Sequence, residues 1–198
     1  MRPSEKLLAK LLPERLRELG EIATLAGSIE FRVERIVWLL SSENVAGVQP
    51  ITDTKPISAL ISSIYKLSDD ITDISFRKTI KLWTAIAIPA FKCRNSILHG
   101  LAIVYNDNSA EFITNTAWEG ESRKRKSTSF HVIDNTLAML SEIFQQLYDG
   151  ILATECILEH KLTYDGFFTD NILRNMSKHH SIVNEIVDLA AAYNNEKY

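Results

Sequence analysis

Residues 75–100, which read SFRKTIKLWTAIAIPAFKCRNSILHG, carry the pattern on which the expected fold depends. Apolar residues recur at helical spacing throughout this stretch, and the periodicity predicts one long helix, termed here the motif helix. Pro89 lacks a backbone donor and is expected to kink or restart that helix one to two turns before Arg94. Because Gly100 suits a C-cap just beyond His99, the helix is expected to end on a cluster of polar side chains.

Helical periodicity also covers most of the sequence on either side of the motif helix. Leucines that follow Ser4 indicate a first helix, which Pro13 bends or divides and Gly20 is placed to end. Two turn-rich stretches interrupt this periodicity: residues 44–56 form a predicted loop, and residues 68–75 separate the preceding helix from the motif helix. Further helices are predicted at about residues 21–40, 57–67, 132–161 and 181–193.

The period of the pattern changes to two directly after the motif helix. Residues 101–116 place apolar and aromatic runs on either side of residues 106–109 (NDNS), which is a hairpin signal. Residues 127–133 add a third strand or lead into the next helix. The sequence therefore predicts an all-α protein, a helical bundle with a small β-hairpin inserted after the motif helix, in a single domain.

Composition and charge limit the classes to which the chain can belong. A formal charge of −3 gives no global argument for binding nucleic acid or membrane, so any anion-binding surface has to be a local cluster. Cys93 and Cys156 lie in apolar helical patterns and are expected to be buried, reduced thiols. The first twenty residues alternate charge with leucine, unlike a secretion signal, and no window reaches the ~18 uncharged residues of a membrane span. These features favour a cytoplasmic protein with no membrane partner.

Several classes of enzyme lack their characteristic motifs in this sequence. There is no Gly-rich phosphate loop, no Cys/His spacing for zinc, no His-Glu-x-x-His and no Gly-x-Ser-x-Gly. Residues 26–28 (AGS) are like the start of a nucleotidyltransferase signature, but the Asp-x-Asp that would hold magnesium does not follow. We therefore expect no metal and no cofactor, and chemistry that depends on acid–base side chains and fixed positive charge.

The polar residues at the end of the motif helix are best placed for such chemistry. On a regular helix Asn95 and His99 are i,i+4 neighbours and Ser96 and His99 are i,i+3, so either partner can hydrogen-bond one ring nitrogen. At ~100° per residue, Arg94 lies about 140° around the helix from His99. A guanidinium that serves the same phosphate must reach across the helix end or come from a second copy of the chain, which suits a two-fold interface.

The hexapeptide RNSILH at residues 94–99 resembles the Arg-x4-His motif, with a polar second residue, of the HEPN family (higher eukaryotes and prokaryotes nucleotide-binding). Gly100, the long helix before the motif, and the short β segment and long helix after it are similar to several bacterial members. The similarity spans residues 21–161. It implies a HEPN-like domain with this span as its core and residues 162–198 as a C-terminal helical extension.

The resemblance implies a metal-independent endoribonuclease that acts as a homodimer, with the two motifs facing each other across a cleft. Arg94 would stabilise the phosphate, His99 would act as general base or acid on the 2′-hydroxyl or leaving 5′-oxygen, and Asn95 would orient His99 or the phosphate. Cleavage would leave a 2′,3′-cyclic phosphate. Many relatives are toxins or act in phage defence, which implies RNA as substrate and an antitoxin or defence-system protein as partner. Other members have lost catalysis and only bind a nucleotide or a partner protein.

Other interpretations of these residues stay open. Arg and His both interact favourably with the negative end of a helix dipole, so the motif also suits an ordinary helix C-terminus. A second copy of the pattern, Arg174, Asn175 and His179, lacks the trailing glycine and the long preceding helix, and is a coincidence or an accessory surface. A basic run holds the RNA backbone or forms a solvated loop; it consists of Arg123, Lys124, Arg125 and Lys126.

Overall fold

The computed structural model describes residues 13–42, 52–99, 101–106, 109–114, 128–132 and 135–160, together with residues 177–178, 181–182 and 184. Its elements are α1 (Pro13–Leu40), α2 (Ile57–Leu67), a short 3-10 helix (Ser68–Asp70), α3 (Ile74–Leu98), β1 (Leu101–Asn106), β2 (Ser109–Thr114), β3 (Thr128–Val132) and α4 (Thr136–His160). The described part of the chain is mainly helical, which confirms the coarse prediction of fold class, and α3 is the motif helix.

One hydrophobic core lies between the α-helices of the described residues. α1 packs along α4 and against α2, while α3 packs against α2 and α4. Ile29 and Phe144 have no exposed surface, and the Phe144 ring meets Phe91 edge to face with 5.3 Å between centroids. The buried Trp83 indole donates a hydrogen bond to the carbonyl oxygen of Leu147 at 2.8 Å. Burial of such side chains, at about 25 cal/mol per Å² of apolar surface, is the main force that holds the helices together.

Local sequence signals predict the bounds of α2 and the start of α3 closely. α2 covers the predicted residues 57–67, because Pro56 precedes it and the turn-forming residues 68–70 follow it. Asp73 caps α3 by accepting a hydrogen bond from the N–H of Phe76 at 2.9 Å. The helix therefore begins one residue earlier than predicted.

Gly20 does not end a helix, which corrects the predicted boundary between two N-terminal helices. α1 runs unbroken from Pro13 to Leu40, with Arg15, Ile22 and Ala26 along its buried side. This stripe continues on both sides of the glycine, so packing against the core outweighs the ~1 kcal/mol that glycine costs inside a helix.

The start of the last long helix was also predicted wrongly. Val132 belongs to β3, and α4 begins at Thr136. Asn135 separates the two elements with a positive φ of 65°. Asparagine tolerates this left-handed conformation better than most residues, and its place between strand and helix explains why the helix starts later.

Pro89 lies inside α3 and does not restart it. The helix is continuous from Ile74 to Leu98. A proline in a helix interior costs about 3 kcal/mol through its missing donor and the clash with the preceding turn. Ala87 and Ala90 on either side of it are fully buried, so the core contacts of α3 offset that cost.

An antiparallel sheet with strand order β1–β2–β3 follows α3. Leu101 is paired with Ile113, and Ala110 with Val132. The sheet contacts α3 through β2 and β3. Since β1 begins two residues beyond His99, the polar end of α3 lies where the helix meets the sheet. The predicted helix before residue 13 and the loop at 44–51 lie outside the described residues, as does most of the predicted helix at 181–193.

A buried carboxylate that the sequence analysis did not assign joins α1 to α4. Glu155 accepts hydrogen bonds from Arg32 and Arg35, and Arg35 also pairs with Glu159. The Glu155 side chain is 6% exposed. The guanidinium of Arg32 also lies 5.4 Å from the centroid of the Tyr148 ring. Hydrogen bonding to Glu155 raises the pKa of Arg35 above its usual value. The cluster fixes how α1 and α4 lie against each other.

Candidate functional site

The predicted catalytic residues lie on the last two turns of α3. Ala90, Cys93 and Ile97 are buried along one side of these turns, which fixes the rotation of the helix about its axis. The helix ends with a hydrogen bond from the backbone N–H of His99 to the carbonyl oxygen of Asn95 at 3.1 Å. The local sequence therefore holds the backbone of the motif in a defined position.

Arg94 is turned towards α1. Its Nη2 lies 3.6 Å from Oε1 of Glu30, and its side chain is 18% exposed. Its Nη1 donates to Oδ1 of Asn95 at 2.9 Å. Its Nε is buried and has no hydrogen-bond partner among the residues that the structure describes. A buried donor without an acceptor is costly and uncommon, so Arg94 is held by two neighbours yet is not fully satisfied.

His99 lies at the surface. It is exposed, and its ring makes no hydrogen bond to any residue that the structure describes. The predicted contact between Asn95 and the His99 ring is not formed; the Asn95 side-chain oxygen accepts a hydrogen bond from Arg94. Ser96, the other predicted partner, is half-buried on the same helix. Asn95 is thus brought to Arg94 and not to the imidazole.

Arg94 and His99 occupy different sides of α3, as their spacing predicted. Arg94 contacts α1 through Glu30, whereas His99 is exposed at the helix end. The two groups therefore do not converge on one point within a single described chain. Any phosphate that needs both must be reached by one of them from a second chain or after Arg94 has left Glu30.

Two residues near the motif were missed by the sequence analysis. No sequence pattern indicated Glu30, because its partner Arg94 is distant in sequence and only the packing of α1 beside α3 brings them together. A sequence pattern did indicate Lys92. It is exposed and stands seven residues before His99, and seven residues are close to two full helical turns. That spacing places Lys92 and His99 on one side of α3.

The two cysteines differ in their surroundings. Both are free; Cys93 is buried and Cys156 is exposed, which corrects the expectation that both are buried. Burial raises the pKa of the Cys93 thiol to about 12. Cys93 therefore stays protonated at neutral pH despite its place beside Arg94, and acts as a small core residue.

A cavity of about 740 Å³ lies between α1 and α4, away from the motif. Its lining includes Arg17, Glu21 and Thr24 of α1 with Ser141 and Gln145 of α4. The Ser141 hydroxyl donates to Glu21 at 2.9 Å. None of the predicted site residues lines this cavity. We therefore assign it no part in the predicted chemistry.

Two groups of predicted residues lie outside the described part of the chain. They are the basic run Arg123, Lys124, Arg125 and Lys126 and the second motif copy Arg174, Asn175 and His179. Within the described ranges, no three His, Cys, Asp or Glu side chains are grouped to hold a metal ion. No described helix is long and apolar enough to cross a membrane. No family model, curated protein or solved structure matches the chain.

Proposed function

We propose that the chain is a metal-independent endoribonuclease of HEPN type that acts as a homodimer. The observation that carries the proposal is the end of α3, where an incompletely satisfied Arg94 and an exposed His99 stand five residues apart on different sides of one helix. One group supplies fixed positive charge and the other an imidazole that can accept a proton, which are the two parts that phosphodiester cleavage without a metal requires.

The reaction is an internal transfer at phosphorus. His99 takes the proton of a ribose 2′-hydroxyl, the 2′-oxygen attacks the adjacent phosphorus, and the bond to the 5′-oxygen of the next nucleotide breaks. A proton from water neutralises the leaving oxygen. Arg94 stabilises the negative charge on the phosphorus centre. The products are a 2′,3′-cyclic phosphate and a free 5′-hydroxyl, so a substrate without the 2′-hydroxyl is not cut.

The placement of the two groups supports the proposed homodimer. Because Arg94 faces α1 while His99 faces outward, we propose that each site combines His99 of one chain with the partner's Arg94 at a two-fold axis. Asn95 holds the guanidinium of its own chain through the hydrogen bond at 2.9 Å. Its proposed role is thus to orient Arg94, not the imidazole.

The domain and its setting belong to the same proposal. A bundle in which a long motif helix precedes a small sheet and a second long helix is the arrangement that the HEPN resemblance implies, and β1 with β2 would be the inserted hairpin. A cytoplasmic toxin or phage-defence role, with an antitoxin or defence-system protein as partner, fits such a nuclease. The basic run at residues 123–126, which lies outside the described residues, stays a candidate for binding the RNA backbone.

A non-catalytic helical module that binds a nucleotide or a partner protein is the second candidate. The contacts of Arg94 with Glu30 and Asn95 favour it, because a guanidinium that already has two partners inside its own chain has a structural role without RNA. This candidate predicts that loss of Arg94 lowers stability and changes no catalytic activity.

The two candidates are separated by assaying purified protein on 5′-labelled single-stranded RNA in excess EDTA. We expect cleavage by the wild type, none by His99→Ala or Arg94→Ala, and none of an all-deoxy oligonucleotide. His160→Ala is the matched control, since His160 is an exposed histidine at the end of α4. Equal cutting by wild type and His99→Ala would remove the site assignment, and absence of cutting on any RNA would favour the binding module.

A further inference from the structure

The outward face of α3 carries a row of residues spaced seven apart. Lys78, Ala85, Lys92 and His99 are all exposed. Each step of seven residues falls short of two full turns by about 20°, so Lys92 lies about 20° and Lys78 about 60° around the helix from His99. His99 therefore stands at one end of a row that winds slowly around the helix and contains two lysines.

The charge of α3 is one-sided. The helix Ile74–Leu98 contains five Lys and Arg residues and no Asp or Glu. Two of the five are engaged at its N-terminal end: Arg77 donates to the carbonyl oxygen of Asp69 at 3.2 Å, and Lys81 pairs with the Asp69 carboxylate at 2.5 Å. Their charge is thus partly compensated within the chain.

Lys78 and Lys92 are not compensated in this way. Neither forms an ion pair with a carboxylate of the described ranges. Arg94 is also unsuited to meet a ligand that arrives at the outward face, because it is turned towards Glu30. Lys92 is therefore the cation of α3 that is nearest to His99 along the row and forms no ion pair with a described carboxylate.

Helix geometry gives the spacing of this row. At 1.5 Å per residue, Lys92 lies about 10 Å from His99 along the axis, and Lys78 about 30 Å from it. A nucleic-acid strand that passes His99 along the helix meets Lys92 within a few nucleotides and Lys78 only if it is much longer. Phosphates repeat along such a strand, so two lysines on a helix that contains no acidic residue complement it.

We propose that this row, from Lys78 through Lys92 to His99, is the track that binds the sugar–phosphate backbone of single-stranded RNA. Lys92 contacts a phosphate close to the one that is cleaved, and Lys78 contacts the backbone farther along. The inference rests on the proposed ribonuclease function and deepens it, since it assigns substrate binding to residues outside the RNSILH motif. Lys92 is a binding residue and takes no part in proton transfer.

The test measures binding apart from cleavage by using fluorescent 2′-O-methyl RNA, which lacks the 2′-hydroxyl nucleophile, in two lengths, a tetranucleotide and a 20-mer. We expect Lys92→Ala to weaken binding of both by about fivefold to tenfold, the effect of one charge-assisted contact. It should also lower the slope of log K against log salt by about 0.7, the value for one phosphate on a single strand. Lys78→Ala should weaken binding of the 20-mer alone.

Two control variants accompany these measurements. Lys66→Ala removes an exposed lysine in the last turn of α2. This lysine lies near the N-terminal end of α3, which is the end distant from His99, so its loss should change neither the affinity for RNA nor the salt slope. Lys92→Arg keeps the charge and should bind RNA like the wild type. If Lys92 acted only through the packing of its aliphatic stem, this variant would not be required to bind normally. Binding to a polyglutamate peptide is measured in parallel.

Each outcome decides one of the two proposals. If the wild type cuts RNA but Lys92→Ala binds both lengths normally, the track is wrong and the nuclease assignment stands. If the wild type binds RNA through Lys92 but cuts none, the track stands and the nuclease assignment is wrong. If the wild type binds no RNA, or binds polyglutamate as tightly as the 20-mer through the same lysines, the RNA track is overturned.

Discussion

Arg94 of α3 and Glu30 of α1 form an ion pair across the helix interface, with 3.6 Å between Nη2 and Oε1. The carboxylate is 39% exposed and the guanidinium 18% exposed. At this exposure an ion pair contributes about 1 kcal/mol or less to stability. Its larger consequence is for ligands, because Glu30 occupies one edge of the guanidinium and repels an approaching phosphate.

Replacement of Glu30 tests that consequence. Glu30→Gln keeps the side-chain volume and removes the charge that competes with phosphate, so we expect the KM for RNA to fall by about twofold to fivefold, equivalent to less than 1 kcal/mol. Glu34→Gln is the control, since Glu34 lies one turn farther along α1 and pairs with no described cation. If Glu30→Gln loses activity as Arg94→Ala does, Glu30 is needed to position the guanidinium instead.

The Glu155 cluster predicts a large effect on stability. Glu155→Gln removes a nearly buried carboxylate, which leaves Arg32 without its charged partner and Arg35 with Glu159 alone. We expect the free energy of unfolding to fall by about 3 kcal/mol, as for other broken buried pairs. Urea denaturation measures this from the shift in midpoint.

Glu159→Gln is the matched control for that measurement. Among the described residues Glu159 pairs with Arg35 alone, and its side chain is 29% exposed, so its replacement should cost less than about 1 kcal/mol. Equal losses for the two variants would show that Glu155 does not have the special role assigned to it.

Cys93 predicts an alkaline dependence of stability. Burial raises the pKa of this thiol from 9.0 to about 12. Between these values the unfolded thiol is ionised and the folded one is not, so the unfolded state binds fewer protons and stability falls as pH rises. The slope from this group is at most about 1.4 kcal/mol per pH unit.

The prediction for Cys93 is checked by comparison with a variant. Unfolding of wild type and Cys93→Ala is measured between pH 8 and 10, and the difference in stability should shrink as pH rises. In the native protein iodoacetamide should alkylate the exposed Cys156 and leave Cys93 unmodified. Rapid modification of Cys93 under native conditions would contradict its burial.

The features that sequence reasoning predicted are those that local residues decide. α2 is bracketed by Pro56 and the turn after Leu67, and the polar end of α3 follows from the apolar run that precedes it. The features it missed depend on packing between distant segments. Gly20 continues a helix because the core stripe on α1 passes through it, and Glu30 reaches Arg94 only after α1 and α3 have packed. The basic run at residues 123–126 lies outside the described residues.

Mixing two inactive variants tests the central claim most directly. If each site combines His99 of one chain with the partner's Arg94, a heterodimer of Arg94→Ala and His99→Ala chains contains one intact site and one doubly altered site. With random exchange of subunits after mild denaturation, the mixture should regain about a quarter of wild-type RNA cleavage, since half of the dimers carry one of two sites. The shared site would be contradicted if the wild type cleaves RNA while the mixture of the two variants is as inactive as either variant alone.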